Sequence, residues 1–334
     1  MAPRLTDIVI GLNAVVIAVT AGEPRVLTVR RITHSLGRAT ANEAIEALPF
    51  GPFDPAGHRT LELGLRAWVG EQTDLSLGYV EQLYTFADLG REGGISGGDG
   101  ARVVSIGYLA LAREAKPAGQ GEAQWMDWYR YFPWEDWRRG RPPVLAEAIL
   151  PGLAAWARSA GEAEERRRRD ERIRTTFGEA PARWDEERVL ERYELLYEAE
   201  LVGEARRDRG LPPADQPALG QPMVFDHRRI LATAMSRLRG KLKYRPVVFE
   251  LLPPTFTLLR LQQTVEALAG MGLHKQNFRR LVEQGGLVEG IGEMERGTGG
   301  RPAEKFRFRR DVLVERPAPG MRLPMVRGSS AKRA

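Results

Sequence analysis

Along the first 160 residues, the apolar positions alternate between the two-residue period of strands and the longer period of helices. Residues 7–31, DIVIGLNAVVIAVTAGEPRVLTVRR, are rich in Val and Ile around a break at Gly22–Pro24, which predicts a β-hairpin. LELGLRAWVGEQ has apolar residues at helical spacing, and VLAEAILPGLAAWARSAG predicts a second helix. LGYVEQLYTFADL and ARVVSIGYLALA predict two more strands. Residues 1–160 are therefore expected to form a mixed α/β domain.

The next segment, residues 161–222, is charged at its start and proline-rich at its end. The charges from Glu164 to Arg172 predict a solvated helix or linker, and LPPADQPALGQP predicts a connection between domains. Between them lies an apolar stripe at helical spacing, which has to be buried either within the chain or against a second copy. The stripe consists of Val189, Tyr193, Leu196, Tyr197 and Leu201. We predict a helical and Pro-rich linker, in which this stripe is a candidate dimerisation element.

Three helical patterns and a strand–turn–strand pattern occupy residues 223–316. DHRRILATAMSRLRGKL, PPTFTLLRLQQTVEALAG and HKQNFRRLVEQGG predict the helices, with Thr257 as the N-cap of the second and Gly285–Gly286 ending the third. LVEGIGEMERGTGGRPAEKFRFRR predicts a two-stranded wing with a glycine-rich tip. This order of elements is that of a winged helix-turn-helix. Residues 317–334 are predicted to be a disordered basic tail.

Charge is divided unevenly along the chain, whose formal net charge is +6. Residues 226–316 contain 18 Lys and Arg against 10 Asp and Glu, so this part is basic. In a winged helix the second helix of the pair enters the major groove, and the wing follows a backbone or groove. We therefore expect double-stranded DNA as the partner, with a solvated basic surface or a protein-binding scaffold as the alternatives.

The residues expected to contact DNA lie at the start of the third helix, on the wing tip, at the end of the first helix and at the start of the second. Arg suits guanine edges and Asn or Gln suit adenine edges. Phe278 and Leu281 are expected to face the core instead. The predicted contacts are Lys241, Lys243, Thr257, Lys275, Gln276, Asn277, Arg279, Arg280, Thr298 and Arg301.

Composition limits the other sites that this chain can form. It contains no cysteine, which excludes disulfides and thiolate metal sites, and its four histidines are scattered. The apolar run from Ile8 to Val19 is too short to span a bilayer and is interrupted by Asn13, so we read it as a buried strand. No basic region or cleavage site of a signal peptide precedes it. We predict a cytoplasmic protein with no membrane partner.

One segment has the outline of a catalytic motif. Residues 51–75, GPFDPAGHRTLELGLRAWVGEQTDL, are similar to the Nudix signature, whose glutamates lie on one helix face and hold Mg²⁺ against a diphosphate. Anchored at Arg66, the segment matches that signature at Trp68, Glu71 and Leu75.

Two positions that carry metal-binding glutamates in the signature hold Ala67 and Gly70 in this chain. A single carboxylate does not make a tight octahedral Mg²⁺ site. We therefore predict no metal, no catalytic residue and no enzyme activity. The alternative is a working Nudix-type nucleoside diphosphate hydrolase with a nucleic-acid-binding appendage. That enzyme would need metal ligands from elsewhere, for instance Glu62, Glu81 or Asp88.

Together, the degenerate signature and the winged helix resemble the Nudix-related transcriptional regulators of NAD metabolism, the NrtR-like and NadQ-like proteins. The resemblance is carried by RAWVGEQTDLSLGYVEQLYTFADLGRE and RVVSIGYLALA, and more specifically by HKQNFRRLVEQGGLVE and GTGGRPAEKFRFR. It implies a Nudix-like mixed α/β sandwich, a helical linker and a C-terminal winged helix. It also implies a homodimeric repressor of NAD-biosynthesis or related genes that binds an inverted-repeat operator. The segment of residues 160–220 is longer than in NrtR-like proteins, and its role stays open.

The same resemblance implies an effector that contains adenine, namely NAD, ADP-ribose or ATP, and no cofactor used as a catalyst. Arg side chains can hold a diphosphate, and aromatic rings can stack on adenine. The alternative, which the large apolar area of the aromatic residues favours, is that most of them are core or interface residues. The predicted ligand-binding residues are Arg30, Arg31, Arg102, Tyr108, Trp125, Tyr131 and Trp134.

Overall fold

The computed structural model describes residues 8–32, 44–88, 102–118, 122–212, 219–295, 302–316 and 320–321. The chain divides into two compact units. The first consists of Met1–Ala18, Arg25–Tyr131 and Val202–Ala234, and the second of Val19–Pro24, Phe132–Leu201 and Met235–Ala334. These units do not follow the predicted boundaries, because residues 132–160 belong to the second unit and residues 202–222 to the first. In the part of the chain that the structure describes, no helix is long and apolar enough to cross a membrane.

A seven-stranded mixed sheet forms the first unit. Its central path has the order β3-β2-β1-β6-β5, with β4 beside β1 and β7 beside β2. Strands β1 and β6 run parallel, from Ile8 opposite Arg102 to Ile17 opposite Leu111. The strands are β1 Ile8–Thr20, β2 Glu23–Ile32, β3 Ala44–Ala47, β4 Phe50–Pro52, β5 Tyr79–Phe86, β6 Arg102–Leu111 and β7 Ala123–Asp127.

The predicted hairpin is confirmed, although its turn lies one residue earlier than expected. Strands β1 and β2 are neighbours, and Ala21 and Gly22 between them have φ values of 52° and 78°. Two successive positive φ values match the twist of two-residue hairpin turns, and glycine adopts them without steric cost. Pro24 therefore lies inside β2 and not in the turn.

Helix α1, Leu61–Thr73, covers one face of the sheet. The side chain of Thr60 accepts a hydrogen bond from the amide of Leu63 and caps its start. Its apolar residues Leu65 and Val69 pack with Leu12 of β1 in a buried cluster. On the opposite face, a Cβ added to Gly107 would lie 3.1 Å from Ile230. The first unit is thus a three-layer α/β/α sandwich, which confirms the predicted fold class.

Three helices of the second unit lie in a region that was predicted to be the end of the first domain and the linker after it. They are α2 Leu150–Arg158, α3 Ala163–Phe177 and α4 Val189–Glu198, and a π-helical turn, Leu145–Ile149, precedes α2. Pro151 has no amide to donate to the preceding turn, so the helix widens there and Leu150 N bonds to Leu145 O. The apolar stripe of α4 packs within the chain, with the ring of Tyr193 6.1 Å from that of Phe132. A short helix, α5 Gly203–Asp208, belongs to the first unit.

The winged helix is formed by three helices and a three-stranded sheet. The helices are α6 His227–Tyr244, α7 Leu258–Ala269 and α8 Lys275–Gly285, and the strands are β8 Phe256–Thr257, β9 Val288–Glu295 and β10 Ala303–Phe308, in the order β8-β10-β9. A last short helix, α9, spans Val312–Glu315. Phe278 lies in the core, as predicted, whereas Leu281 is only half-buried. Val282 fills the core in its place, because the inward face of α8 passes through positions i and i+4.

Candidate functional site

The helix-turn-helix is held together by polar contacts between α7 and the turn that follows it. Thr257 caps the start of α7, and its Oγ1 accepts a hydrogen bond of 3.2 Å from the amide of Arg260. At the other end, Glu266 Oε1 accepts from the amide of Leu273 at 2.7 Å, and Gln262 Nε2 donates to the carbonyl of Leu273 at 2.8 Å. These two bonds fix the turn against α7, and so they fix the point from which α8 begins.

Helix α8 has an apolar inner side and a polar outer side. Phe278 and Val282 are buried, which turns the rest of its first two turns outward. All the residues of this helix that were predicted to contact DNA are exposed: Lys275, Gln276, Asn277, Arg279 and Arg280. The structure therefore brings half of the predicted contact residues together on one continuous surface.

The other predicted DNA contacts lie elsewhere. Thr257 is 7% exposed and its hydroxyl is used as a helix cap, so it is an interior residue and the prediction of a DNA contact is wrong for its side chain. Lys243 forms ion pairs of 2.8 Å with Glu186 and 2.5 Å with Glu187. Burial alone would lower the pKa of Lys243, but these two carboxylates raise it above its usual value. Lys241 is half-buried on the same helix. Thr298 and Arg301 lie outside the described residues.

In the first unit, the residues of the Nudix-like helix are engaged in structural contacts. Arg66 donates to the carbonyls of Leu77 and Gly78 and pairs with Glu62 at 2.8 Å. Trp68 Nε1 donates to the carbonyl of Pro52 at 2.8 Å. These contacts tie α1 to the segments before and after it, so Arg66 and Trp68 support the frame of the motif.

The positions that carry glutamate in the signature face outward. Ala67 is exposed, and a Cβ added to Gly70 would meet no atom within 4 Å. Within the described ranges, no group of three His, Asp or Glu residues is arranged to hold a metal ion. The carboxylates named as substitutes have other partners: Glu62 pairs with Arg66, Glu81 accepts from the Tyr79 hydroxyl, and Asp88 pairs with Arg229.

Two of the residues predicted to bind the ligand are in the protein interior, so the prediction that their rings stack on adenine is wrong. Tyr131 and Trp134 are both 0% exposed. The Tyr131 hydroxyl donates to Glu46 at 2.6 Å, and burial, together with this carboxylate, raises its pKa. Trp134 belongs to the second unit, whereas the other candidates belong to the first. Large aromatic side chains carry more apolar area than other residues. In this protein both rings bury that area in the core and leave none exposed for a ligand.

The remaining ligand candidates all lie in the first unit. Arg30 is exposed and pairs with Glu122 at 3.4 Å. Arg102 is half-buried and donates to the carbonyl of Ala87. Tyr108 is buried in the cluster under α1, and burial, with the charge of Glu62, raises its pKa. Trp125 is half-buried and donates from Nε1 to the carbonyl of Ala115 at 2.8 Å. For Arg31 the structure gives the backbone position, opposite Ile45 in the sheet.

A group of buried charges in the second unit was not predicted from the sequence. Glu135, Arg192 and Arg239 are each at most 1% exposed. Both carboxylate oxygens of Glu135 bind Arg192, at 2.5 and 2.9 Å, and one of them also binds Arg239 at 2.6 Å. The only signal in the sequence was an acidic residue in the aromatic segment FPWEDW, where a buried charge needs a partner.

Comparison with known proteins agrees with this architecture. Residues 248–308 match the family described as the NrtR DNA-binding winged helix domain. The "ADPR responsive transcriptional repressor NtrR" of Acinetobacter baylyi is 38% identical over 93 residues, which are 28% of this chain and 37% of that protein. The match thus spans little more than a third of the length of this curated relative.

Two solved structures share the fold over most of this chain. Shewanella oneidensis NrtR complexed with a 27mer DNA has a TM-score of 0.52 at 20% identity and covers 91% of this chain and 95% of its own. A MutT/nudix family protein from Enterococcus faecalis has a TM-score of 0.52 at 16% identity and covers 92% of this chain and 89% of its own. This chain is thus similar to NrtR in overall fold, and its residues 248–308 match the NrtR DNA-binding winged helix domain.

Proposed function

We propose that this chain is a DNA-binding transcriptional repressor, and that its Nudix-like unit binds ADP-ribose without hydrolysing it. The observation that carries the DNA-binding part is the exposed polar surface of α8, above the buried residues Phe278 and Val282. A helix presented in this way by a helix-turn-helix enters the major groove, where Arg, Asn and Gln read base edges. The matching family and relative support the same reading.

The choice of ADP-ribose rests on the Acinetobacter relative, which is named for its response to ADPR. NAD and ATP share the adenosine diphosphate part of that ligand and are the competing effectors. Arg30 and Arg102 are arginines of the first unit that are not fully buried and remain the proposed diphosphate contacts, with Trp125 as the proposed stacking residue. NAD-biosynthesis or related genes are the proposed targets.

We also propose that the repressor is a cytoplasmic homodimer on an inverted repeat, because one winged helix reads one half-site and paired half-sites require a two-fold protein. Val189, Tyr193 and Leu196 of the α4 stripe are buried within the chain, so our proposal places the dimer surface elsewhere. Light scattering of the protein alone and on DNA tests this. A single copy per duplex would contradict it.

The test of the main proposal begins with duplexes that the wild-type chain selects from a random-sequence library. Fluorescence anisotropy then compares the selected duplex with a scrambled one, with and without ADP-ribose, NAD or ATP. We expect preference for the selected duplex and a change in affinity with ADP-ribose at a lower concentration than with NAD or ATP. No sequence preference would contradict DNA reading, and no response to any of the three ligands would contradict the sensor role.

The ligand site has its own matched control. We expect Arg30→Ala and Arg102→Ala to weaken ADP-ribose binding measured by calorimetry, because each removes a charge from the proposed diphosphate contacts. Arg113→Ala removes an exposed arginine from the same unit and should leave binding unchanged. Equal effects of all three substitutions would place the ligand elsewhere.

A further inference from the structure

A buried network of charges connects the residues before the winged helix to the winged helix itself, within the second unit. Glu135, in the aromatic segment after β7, accepts hydrogen bonds from Arg192 of α4 and Arg239 of α6. Burying an isolated charge in the protein interior costs a large amount of free energy. The pairing of one carboxylate with two guanidinium groups offsets part of that cost. Removing Glu135 leaves two buried guanidinium charges without compensation, whereas removing either arginine leaves one ion pair and hydrogen-bond acceptors that have lost their donor.

The two arginines are alike in burial but differ in what else they bind. Arg192 donates to the carbonyls of Thr176 and Asp185, and its guanidinium lies 3.8 Å from the ring centre of Trp184. All three partners precede the winged helix. Arg239 donates to the carbonyl of Glu186 at 3.1 Å, before the winged helix, and also to the carbonyl of Leu268 at 3.0 Å, in the last turn of α7. Among the contacts of the described residues, it is thus Arg239 that joins the charge network to α7 of the helix-turn-helix.

A second contact from the same segment reaches the next residues of the turn. The amide of Trp137 donates to the carbonyl of Gly270 at 2.7 Å, and Trp137 forms an isolated parallel bridge with Met271. Leu268 and Gly270 lie at the end of α7, where carbonyl groups lack partners within the helix. A cationic guanidinium at this end is also favoured by the helix dipole. The end of α7, from which α8 departs, is thus held by Arg239 and by the backbone of Trp137.

We propose that Arg239, held by Glu135, is a positioning residue for sequence reading by α8, and that residues 132–201 form part of the DNA-reading unit. The inference rests on the proposed DNA-binding function. Arg239 does not touch DNA in this scheme. It fixes the carbonyl end of α7, and so fixes the orientation in which the exposed residues of α8 meet the base edges.

The test compares two conservative substitutions in the full-length protein. Arg192→Lys and Arg239→Lys both keep a positive charge beside Glu135, and both lose the planar fork that binds several acceptors at once. Each variant is assayed by anisotropy on the wild-type-selected duplex and a scrambled duplex, at a temperature at which circular dichroism shows it to be folded. Glu198→Gln, which breaks the exposed Arg172–Glu198 pair of the same unit, is the control for carboxylate loss.

We expect Arg239→Lys to reduce the preference for the selected duplex by about tenfold or more, the discrimination that one misaligned base contact removes. Arg192→Lys should lower the melting temperature and leave the preference unchanged. Glu135→Gln should lose both, and Glu198→Gln neither. If folded Arg239→Lys keeps the wild-type preference, or if Arg192→Lys loses as much of it, the positioning role is wrong and the network only stabilises the fold.

Hydrogen exchange separates this inference from the function on which it rests. Amides of residues 270–281 should exchange faster in Arg239→Lys than in Arg192→Lys, whether or not DNA is present. If wild-type protein shows no sequence preference but the exchange difference is found, DNA reading fails while Arg239 still fixes the turn. Equal exchange rates in the two variants overturn the proposal. If Arg239→Lys does not fold, Glu135→Asp is compared with Glu198→Asp in the same measurements.

Discussion

Gly64 of α1 lies against the imidazole of His58, so closely that a Cβ added to Gly64 would be 2.7 Å from Nδ1 of His58. That nitrogen accepts a hydrogen bond of 3.0 Å from the amide of Asp54, which holds the imidazole in place. The same Cβ would be 3.1 Å from Leu12 of the sheet. The loop before α1 and the sheet below it therefore both require a residue without a side chain here.

The two glycines of α1 should respond to alanine in opposite directions. A Cβ at Gly70 meets nothing within 4 Å. Gly70→Ala should therefore stabilise the protein by about 0.5–1 kcal/mol, the usual gain from replacing glycine inside a helix. Gly64→Ala should destabilise it, because His58 must move. Urea denaturation of both variants checks this, and a stabilised Gly64→Ala would contradict the close packing.

Phe278 anchors α8 to the rest of the winged helix. It is 1% exposed, so Phe278→Ala should cost about 3–5 kcal/mol of unfolding free energy. Leu281→Ala should cost less, because Leu281 is half-buried. Denaturant unfolding followed by circular dichroism measures both. Equal losses would mean that α8 is rotated relative to this structure.

If α8 reads the DNA sequence, substitutions of two glutamines of this helix should differ in their effect on DNA binding. Gln276 and Gln284 are both exposed, at the start and near the end of α8. Gln276→Ala and Asn277→Ala should weaken binding to the selected duplex by about 1–3 kcal/mol each if a bidentate base contact is lost. Gln284→Ala is the control and should have no effect. If all three variants show the same affinities for the selected duplex and the same affinities for the scrambled duplex, α8 does not read the sequence.

Asp136 makes part of the stability depend on pH. Burial acts to raise the pKa of Asp136, but the hydrogen bonds and charge of Arg138, whose Nε lies 2.8 Å from Oδ1, lower it below its usual value of 3.8. A depressed folded-state pKa contributes stability above the unfolded value, and the contribution is lost as pH falls through the folded-state value. Asp136→Asn should therefore lower the melting temperature at neutral pH and matter less in acid. In an Arg138→Met background this pH dependence should disappear, and its persistence would contradict the pairing.

Incubation with ADP-ribose and Mg²⁺ should yield no AMP above background, because Ala67 and Gly70 replace metal-binding glutamates of the signature. Chromatography of the nucleotides checks this. Turnover that requires Mg²⁺ and is lost in Glu71→Gln would restore the hydrolase as the function of the first unit.

Local patterns in the sequence predicted the elements of this fold well. The capped start of α7 at Thr257 and the glycine end of α8 at Gly286 were both read correctly, because caps depend on residues within one turn. The helical period of α4 correctly predicted a buried face. It could not predict what covers that face, since periodicity carries no information on the partner.

Long-range packing explains the errors. Residues 132–160 follow the sheet in sequence, yet they belong to the unit that contains the winged helix. Tyr131 and Trp134 looked like ligand contacts because aromatic rings suit both adenine and a protein core, and only the fold shows that both are buried. Glu135, Arg192 and Arg239 could not be paired among the 50 basic and 44 acidic residues, because their meeting depends on three distant segments.

Thr257 belongs to two structures at once. Its side chain caps α7, and its backbone lies in β8 opposite Lys305 of β10. Strand β10 also pairs with β9. Thr257 therefore connects the start of α7 to the sheet that contains the strands of the wing. Because Thr257 takes part in both, a change in the orientation of α7 would also shift β10 of the wing.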